Sequence, residues 1–200
     1  MPLFNGLHKL NNRYLVMRHG HSLANQRGII VSHPANGLRG YGLTRTGRDE
    51  VLVAIKGSDG LDDTTLIVSS DFQRAHATAA IVAEVLNCTS PIVLDPRLRE
   101  RHFGDLELTP TDNYPAIWRH DAVDADHHQS GVESVNEVLQ RTTSLIADLE
   151  RAWSDATILL VAHGDVLQIL LTAFVGQDAR RHRLQAPLAN ADIRQASLPP

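Results

Sequence analysis

The same short pattern occurs twice in this chain: an uninterrupted apolar run ends directly in a catalytic type of side chain. Residues 14–17 (YLVM) lead into Arg18 and His19, and residues 157–162 (TILLVA) lead into His163. Continuous apolar runs of this length are typical of strands buried on both faces of a parallel sheet. Such sheets bind ligands beyond the carboxyl ends of their strands, so the pattern predicts that both histidines lie where a ligand is expected.

Segments with helical and strand-like patterns alternate along the rest of the chain. This alternation predicts an α/β fold with a mostly parallel central sheet, because parallel strands need crossover connections between them. The expected strands are residues 64–68 and 91–94, with an edge strand near 191–196, and the expected helices are residues 46–57, 72–86, 133–153 and 166–175.

Polar side chains stand where three of these helices are expected to begin. Thr46 has an aspartate three residues later, which is the spacing of a helix N-terminus. Serine and aspartate are also favoured as capping residues. The candidates at the other two starts are Ser69, Ser70 and Asp71, and then Ser130 or Ser134.

Arg74 lies in the first turn of the helix expected at residues 72–86. A helix N-terminus carries free amide groups and positive partial charge, so an acidic residue is favoured there over an arginine. A bound anion would reconcile this arginine with the helix dipole. The alternative is a surface arginine whose aliphatic stem lies along the helix.

Glu100 lies between Arg99 and Arg101 in a loop that follows the expected strand at residues 91–94. A carboxyl group at a strand end is a candidate for general acid–base catalysis. The alternative is an ordinary ion pair with one of the two flanking arginines, which is a common fate of such a glutamate.

Residues 103–131 contain the least regular part of the chain, and we expect them to form a lid or insertion over the site. Three histidines stand there among aspartates, but their spacing favours a solvated loop over a metal site, because adjacent side chains diverge. The aromatic pair Tyr114 and Trp118 is expected to face either a ligand or the core. The three histidines are His120, His127 and His128.

Composition limits the classes of function. A length of 200 residues favours one domain over residues 1–200. The net charge of −4 supplies no general field for nucleic acid or anionic lipid. The single cysteine, Cys88, can form neither an intrachain disulfide nor a thiolate zinc site. No run approaches the roughly 20 apolar residues of a membrane span, and residues 1–12 lack a signal-peptide core, so a cytoplasmic location is expected.

The candidate residues suit phosphoryl transfer. Guanidinium forks such as those of Arg18 and Arg74 match the charged oxygens of a transferred phosphoryl group. A neutral imidazole, from His19 or His163, can act as the nucleophile.

Five blocks of the sequence, in this order, resemble the histidine phosphatase superfamily, also called the phosphoglycerate mutase-like family. The resemblance covers nearly the whole chain. It implies a three-layer α/β/α sandwich with helices on both faces of the sheet, and it implies neither a metal nor another cofactor. The blocks are RHGHSLAN at 18–25, SSDFQRAHATA at 69–79, LRERHFGDLE at 98–107, GVESVNEV at 131–138 and VAHGDVLQ at 161–168.

The resemblance also implies a role for each matched residue. His19 is expected to attack phosphorus and become phosphohistidine, and Glu100 to protonate the leaving oxygen and then activate water. The surrounding arginines should lower the pKa of Glu100, so we expect it to be a competent acid mainly when a phosphate dianion is bound. The residues expected to hold the phosphoryl group are Arg18, Arg74 and His163, with a polar contact from Asn25.

The chain departs from the family pattern in two places. Glu107 is followed by Leu108, where members often have glycine, which leaves the path of the lid open. Cofactor-dependent mutases carry a longer, more basic insertion before the second histidine, whereas the interval here is short and poor in lysine. The sequence therefore predicts a phosphatase acting on a small phosphate ester. The alternatives are a mutase-type phosphotransferase and a non-catalytic member that binds a phospho-ligand or a protein, and the oligomeric state stays open.

Overall fold

A computed structural model describes residues 9–198, and its centre is a five-stranded sheet in the order β3-β2-β4-β1-β5. Every neighbouring pair of strands is parallel except β1 and β5, since the edge strand β5 runs antiparallel to β1. The prediction of a mostly parallel sheet is therefore confirmed. The strands are β1 (Arg13–Arg18), β2 (Leu66–Ser69), β3 (Val93–Leu94), β4 (Thr157–Ala162) and β5 (Ile193–Ala196).

Helices cover both faces of the sheet. Alternate side chains of β1 and β4 enter two separate apolar clusters: one contains residues of α6 and α7, and the other contains residues of α3 and α4. Burial on both faces explains why every fully buried position of these two strands is apolar. The helices are α1 (Leu23–Arg27), α2 (Pro34–Gly37), α3 (Arg45–Lys56), α4 (Gln73–Leu86), α5 (Tyr114–Asp121), α6 (Val135–Ala152) and α7 (Gly164–Phe174).

The predicted helix caps are only partly correct. Ser134 caps α6 as expected, with Glu137 completing the capping box. At α3 the cap is Thr44 and not Thr46, because the helix begins at Arg45, two residues before the start that a Thr46 cap implies. Helix α4 begins after Phe72 with no side-chain cap at all. The polar residues before it are used elsewhere: the hydroxyl of Ser70 lies 2.9 Å from His163 Nε2.

Residues 103–131 are more ordered than the sequence predicts, because they contain α5 and three short 3-10 turns. His127 lies 2.6 Å from a carboxylate oxygen of Asp121. Within residues 9–198, no group of three or more histidine, cysteine or acidic side chains is arranged to hold a metal ion. No helix in the same part of the chain is long and apolar enough to cross a membrane.

Leu108 follows Glu107 at the position where family members often have glycine, and it adopts a backbone conformation that glycine favours. Its φ angle is 62°, in the left-handed region that favours glycine. The amide of Leu108 donates to the carbonyl of Ile30 at 2.8 Å, and the carboxylate of Glu107 accepts from both the amide and the hydroxyl of Ser32. These contacts hold a strained backbone in the path that glycine adopts more easily.

Candidate active site

The two histidines at the strand ends lie side by side. Strands β1 and β4 are neighbours in register, with Arg18 opposite Ala162, so the chain leaves the sheet at the same edge in both places. The ring centroids of His19 and His163 are 5.2 Å apart, and both residues are buried. The arrangement that the repeated pattern predicts is present in the structure.

Hydrogen bonds define which nitrogen of His19 is reactive. Its Nδ1 lies 2.8 Å from the carbonyl oxygen of Gly20, which can only accept, so Nδ1 carries the proton. Nε2 therefore has a lone pair and accepts a hydrogen bond from Arg74 Nε at 3.0 Å. Burial first, and then the charges of Arg74 and Arg18, hold the pKa of His19 well below its usual range. A neutral imidazole with its lone pair on Nε2 is the form that can attack an electrophile once a ligand replaces Arg74 as the partner of that nitrogen.

Three buried N–H donors around this imidazole have no acceptor in the described part of the protein. They are Arg18 Nε, Arg74 Nη1 and His163 Nδ1. Buried donors are rarely left without a partner, so an unmatched set in one place indicates an anionic ligand. Burial lowers the pKa values of both arginines, which is the cost of placing two cations together away from water.

Ser70 determines which nitrogen of His163 is free to donate. The amide of Phe72 donates to Ser70 Oγ at 3.3 Å, and we assign the hydroxyl hydrogen of Ser70 to its 2.9 Å contact with His163 Nε2. With Nε2 as acceptor, the neutral ring carries its proton on Nδ1, the atom without a protein partner. Sequence reasoning treated Ser70 only as a cap, because its contact with His163 joins residues far apart in the chain.

Two helix N-termini also face this edge of the sheet. Helix α4 begins at Gln73 and α7 begins at Gly164, and neither has a side-chain cap. Free amides and positive partial charge at such ends favour an anion. Arg74 is the second residue of α4, and its guanidinium group turns back to His19 and to the carbonyl of Val31. It is buried, which excludes the surface-arginine alternative.

Glu100 forms no ion pair with Arg99 or Arg101, which was the alternative to a catalytic role. Arg99 is paired with Asp71, and Arg101 is paired with Asp121. Glu100 instead lines the same pocket as His19.

The sequence predicts that neighbouring arginines lower the pKa of Glu100, and this prediction is wrong. Burial raises this pKa to about 7, and the carboxylate of Asp165 acts in the same direction, while Arg74 and Arg18 only reduce the shift. The sequence shows the charged neighbours of the carboxyl group but not its removal from water, which is the larger effect. The acid form is therefore available near neutral pH without a bound phosphate.

Asn25 has one free end at the pocket. Its Oδ1 accepts from the amide and hydroxyl of Ser22 and from Asn190 Nδ2. These three donors occupy the oxygen and leave the Nδ2 group to donate to a ligand. Asn190 also donates to the carbonyl of His19 at 3.1 Å. No motif in the sequence pointed to Asn190.

The far wall of the pocket comes from segments that the sequence left open. The pocket has a volume of about 330 Å³, which suits a small ligand. Tyr114 and Trp118 stack in parallel at 5.3 Å and line it, so they face the ligand space. Three residues of this wall were not predicted from the sequence: Asp165, Gln168 and Arg183. Only the position of Asp165, two residues after His163, offered a signal.

Comparisons with known proteins agree with this geometry. The profile of the histidine phosphatase superfamily (branch 1) matches residues 14–198. Glucosyl-3-phosphoglycerate phosphatase of Mycobacterium tuberculosis is 31% identical over 200 aligned positions, which cover 92% of this chain and 85% of that protein. The Erwinia tasmaniensis protein described as "Probable phosphoglycerate mutase GpmB" is 33% identical over 125 positions, 60% of this chain and 57% of that protein.

Solved structures share the fold over most of the chain. A mycobacterial glucosyl-3-phosphoglycerate phosphatase in complex with VO3 superposes with a TM-score of 0.75 at 27% identity, covering 92% of this chain and 91% of that one. The α-ribazole phosphatase of Shigella flexneri superposes with a TM-score of 0.71 at 26% identity, covering 90% and 88%. These findings confirm the predicted fold and a phosphatase type of enzyme. Because the superfamily profile matches residues 14–198 and the mycobacterial phosphatase aligns with 92% of the chain, this chain belongs to the histidine phosphatase superfamily.

Proposed function

We propose that this chain is a metal-independent phosphomonoesterase that hydrolyses a small phosphorylated metabolite through a phosphohistidine on His19. One observation carries the proposal: buried N–H donors without a partner, on Arg18, Arg74 and His163, lie beside His19, whose neutral ring has its lone pair on Nε2. Fixed donors of this kind stabilise the charge that develops on phosphoryl oxygens.

In the first step, His19 Nε2 attacks phosphorus while the bond to the ester oxygen breaks. Glu100 gives its proton to that oxygen, so the leaving group departs as a neutral alcohol. The phosphorylated ring then carries positive charge, and the contact of Nδ1 with the carbonyl of Gly20 stabilises it.

In the second step, the Glu100 carboxylate takes a proton from a water molecule whose oxygen attacks phosphorus. The P–N bond breaks, inorganic phosphate leaves, and both residues return to their starting protonation states. The raised pKa of Glu100, about 7, suits a group that must both give and take a proton near neutrality.

A mutase is the second candidate, because a substrate hydroxyl can replace water as the acceptor. The description of the Erwinia relative favours it. The short interval between Glu100 and His163, poor in lysine, favours water. The mycobacterial phosphatase, which aligns with much more of this chain, also favours hydrolysis.

Phosphate release from p-nitrophenyl phosphate and from a panel of phosphorylated metabolites tests the proposal. His19→Ala is expected to abolish release, whereas His76→Ala, which changes an exposed histidine of α4, is the matched control. Denaturation at alkaline pH, where phosphohistidine survives, is expected to trap a phosphorylated chain by mass. Ligand binding without turnover in the unmodified protein would favour a non-catalytic member, and isomerised phosphoglycerate without free phosphate would favour the mutase.

We also propose that residues 103–131 act as a lid within a single domain. Supporting this, Tyr114 and Trp118 of α5 line the pocket. The segment is tied to the first turn of α7 by the hydrogen bond from Trp118 Nε1 to Asp165 Oδ1 at 3.1 Å.

A further inference from the structure

The pocket contains a third arginine besides the two beside His19. Arg183 belongs to the 3-10 segment Ala179–Leu184, and it lines the same pocket as Arg18, Arg74 and Glu100. Its charge helps to lower the pKa of Arg18, so its field extends to the phosphoryl site. Neither the proposed attack on phosphorus nor the proton transfers use this residue.

The guanidinium group of Arg183 is held in one orientation. Its central carbon lies 3.6 Å from the ring centroid of Trp118, which places it over the indole face. Its Nη1 donates to Gln168 Oε1, and the amide nitrogen of Gln168 is fixed by the carbonyl of Gln185 at 2.9 Å. A fork that is already oriented loses little conformational freedom when it binds a ligand.

Two donors of this fork remain free. Asp165 is the nearest carboxylate, but its oxygens accept from Arg101 at 3.3 Å and from Trp118 at 3.1 Å. Arg183 Nη1 forms an ion pair with Asp165 Oδ1 at 3.6 Å, a separation longer than a hydrogen bond, and this pair involves the same nitrogen that donates to Gln168. Nε and Nη2 of Arg183 make no hydrogen bond to any residue in the range 9–198. Its side chain is 31% exposed, whereas Arg74 is buried, so a ligand can reach it.

We propose that Arg183 binds a carboxylate on the leaving group, so that the preferred substrate is a phosphate monoester carrying a second, carboxylate charge. This inference rests on the proposed function, because it assigns the leaving-group side of the same pocket. Nε and Nη2 present the parallel pair of N–H groups that a planar carboxylate accepts. The substrate then lies with its phosphoryl group at His19 and its carboxylate under the Trp118–Arg183 stack.

Two probes that differ only at this group test the proposal. In 3-phosphoglycerate the carbon skeleton ends in a carboxylate, and in glycerol 3-phosphate it ends in a neutral hydroxymethyl group. Titration calorimetry with the His19→Ala protein measures binding of each without turnover. We expect 3-phosphoglycerate to bind at least tenfold more tightly. Adding Arg183→Gln should reduce that preference to below threefold, because binding of 3-phosphoglycerate weakens much more than binding of glycerol 3-phosphate, and Arg183→Lys should restore part of the preference.

Arg180→Gln is the matched control, because Arg180 lies in the same 3-10 segment, is exposed and pairs with Asp178 outside the pocket. Arg180→Gln removes one positive charge, as Arg183→Gln does, and should leave the preference for 3-phosphoglycerate unchanged. Equal binding of the two probes by the His19→Ala protein would overturn the inference, and so would an equal loss for both probes when Arg183→Gln is added.

The fate of the proposed function is decided separately, by phosphate release from p-nitrophenyl phosphate with His19 intact. Binding preference without release would refute the phosphatase mechanism and support the role of Arg183. Release with no binding preference would support the mechanism and overturn the role of Arg183.

Discussion

Replacing Glu100 by glutamine tests the proposed mechanism most directly. The change keeps the size and polarity of the side chain but removes the ionisable proton of its carboxyl group. Burial raises the pKa of Glu100 to about 7 in this structure. An acid with that pKa is about half protonated at pH 7, whereas a glutamate with an ordinary pKa is protonated in about one molecule in 300. The fold therefore increases the supply of acid by about two orders of magnitude.

The expected loss depends on the leaving group. An alkyl phosphate such as glycerol 3-phosphate needs a proton on its departing oxygen, so Glu100→Gln should lower its kcat/KM by about 10² to 10⁴. The p-nitrophenolate ion leaves without protonation, so kcat/KM for p-nitrophenyl phosphate should fall by about tenfold or less. The parent protein should also lose activity on the alkyl ester as pH rises, by about tenfold between pH 6 and pH 8, because the acid form disappears through its pKa.

Steady-state kinetics from pH 5 to pH 9 with both substrates measure these effects. Glu84→Gln, which changes an exposed glutamate of α4, is the matched control and should behave like the parent. The reasoning fails if Glu100→Gln slows both substrates equally. It also fails if the loss of activity near pH 7 persists in that variant.

Three further changes test individual contacts. Ser70→Ala removes the hydroxyl 2.9 Å from His163 Nε2, so ¹⁵N NMR should show less of the Nδ1–H tautomer and kcat should fall by about tenfold; an unchanged tautomer would contradict the assignment. Arg101→Ala leaves the buried carboxylate of Asp121 without its main partner and should lower the free energy of unfolding, measured in urea, by about 3–5 kcal/mol; a loss below about 1 kcal/mol would show that the pair contributes little. Leu108→Gly relieves the φ of 62° and should raise the free energy of unfolding by up to about 1 kcal/mol, whereas Leu108→Ala should not.

Local pattern alone was enough to predict the sheet and the position of its histidines. The run at residues 157–162 became β4 with the predicted bounds, because burial on both faces requires apolar side chains at every position after Thr157. The run at 14–17 became the interior of β1, and the histidine after each strand follows from chain order. Helix α5 was missed, because its eight residues include Pro115 and are too few to show a clear period.

The tertiary structure decided the protonation and partners of the site residues. Desolvation of Glu100 outweighs its arginine neighbours, and those beside it in sequence are paired with Asp71 and Asp121. Arg183 lies at the pocket because the chain after α7 returns over Trp118. Burial and pairing between distant residues depend on how the layers pack. Periodicity in the sequence records which face of an element is apolar, but not which polar groups meet across the pocket.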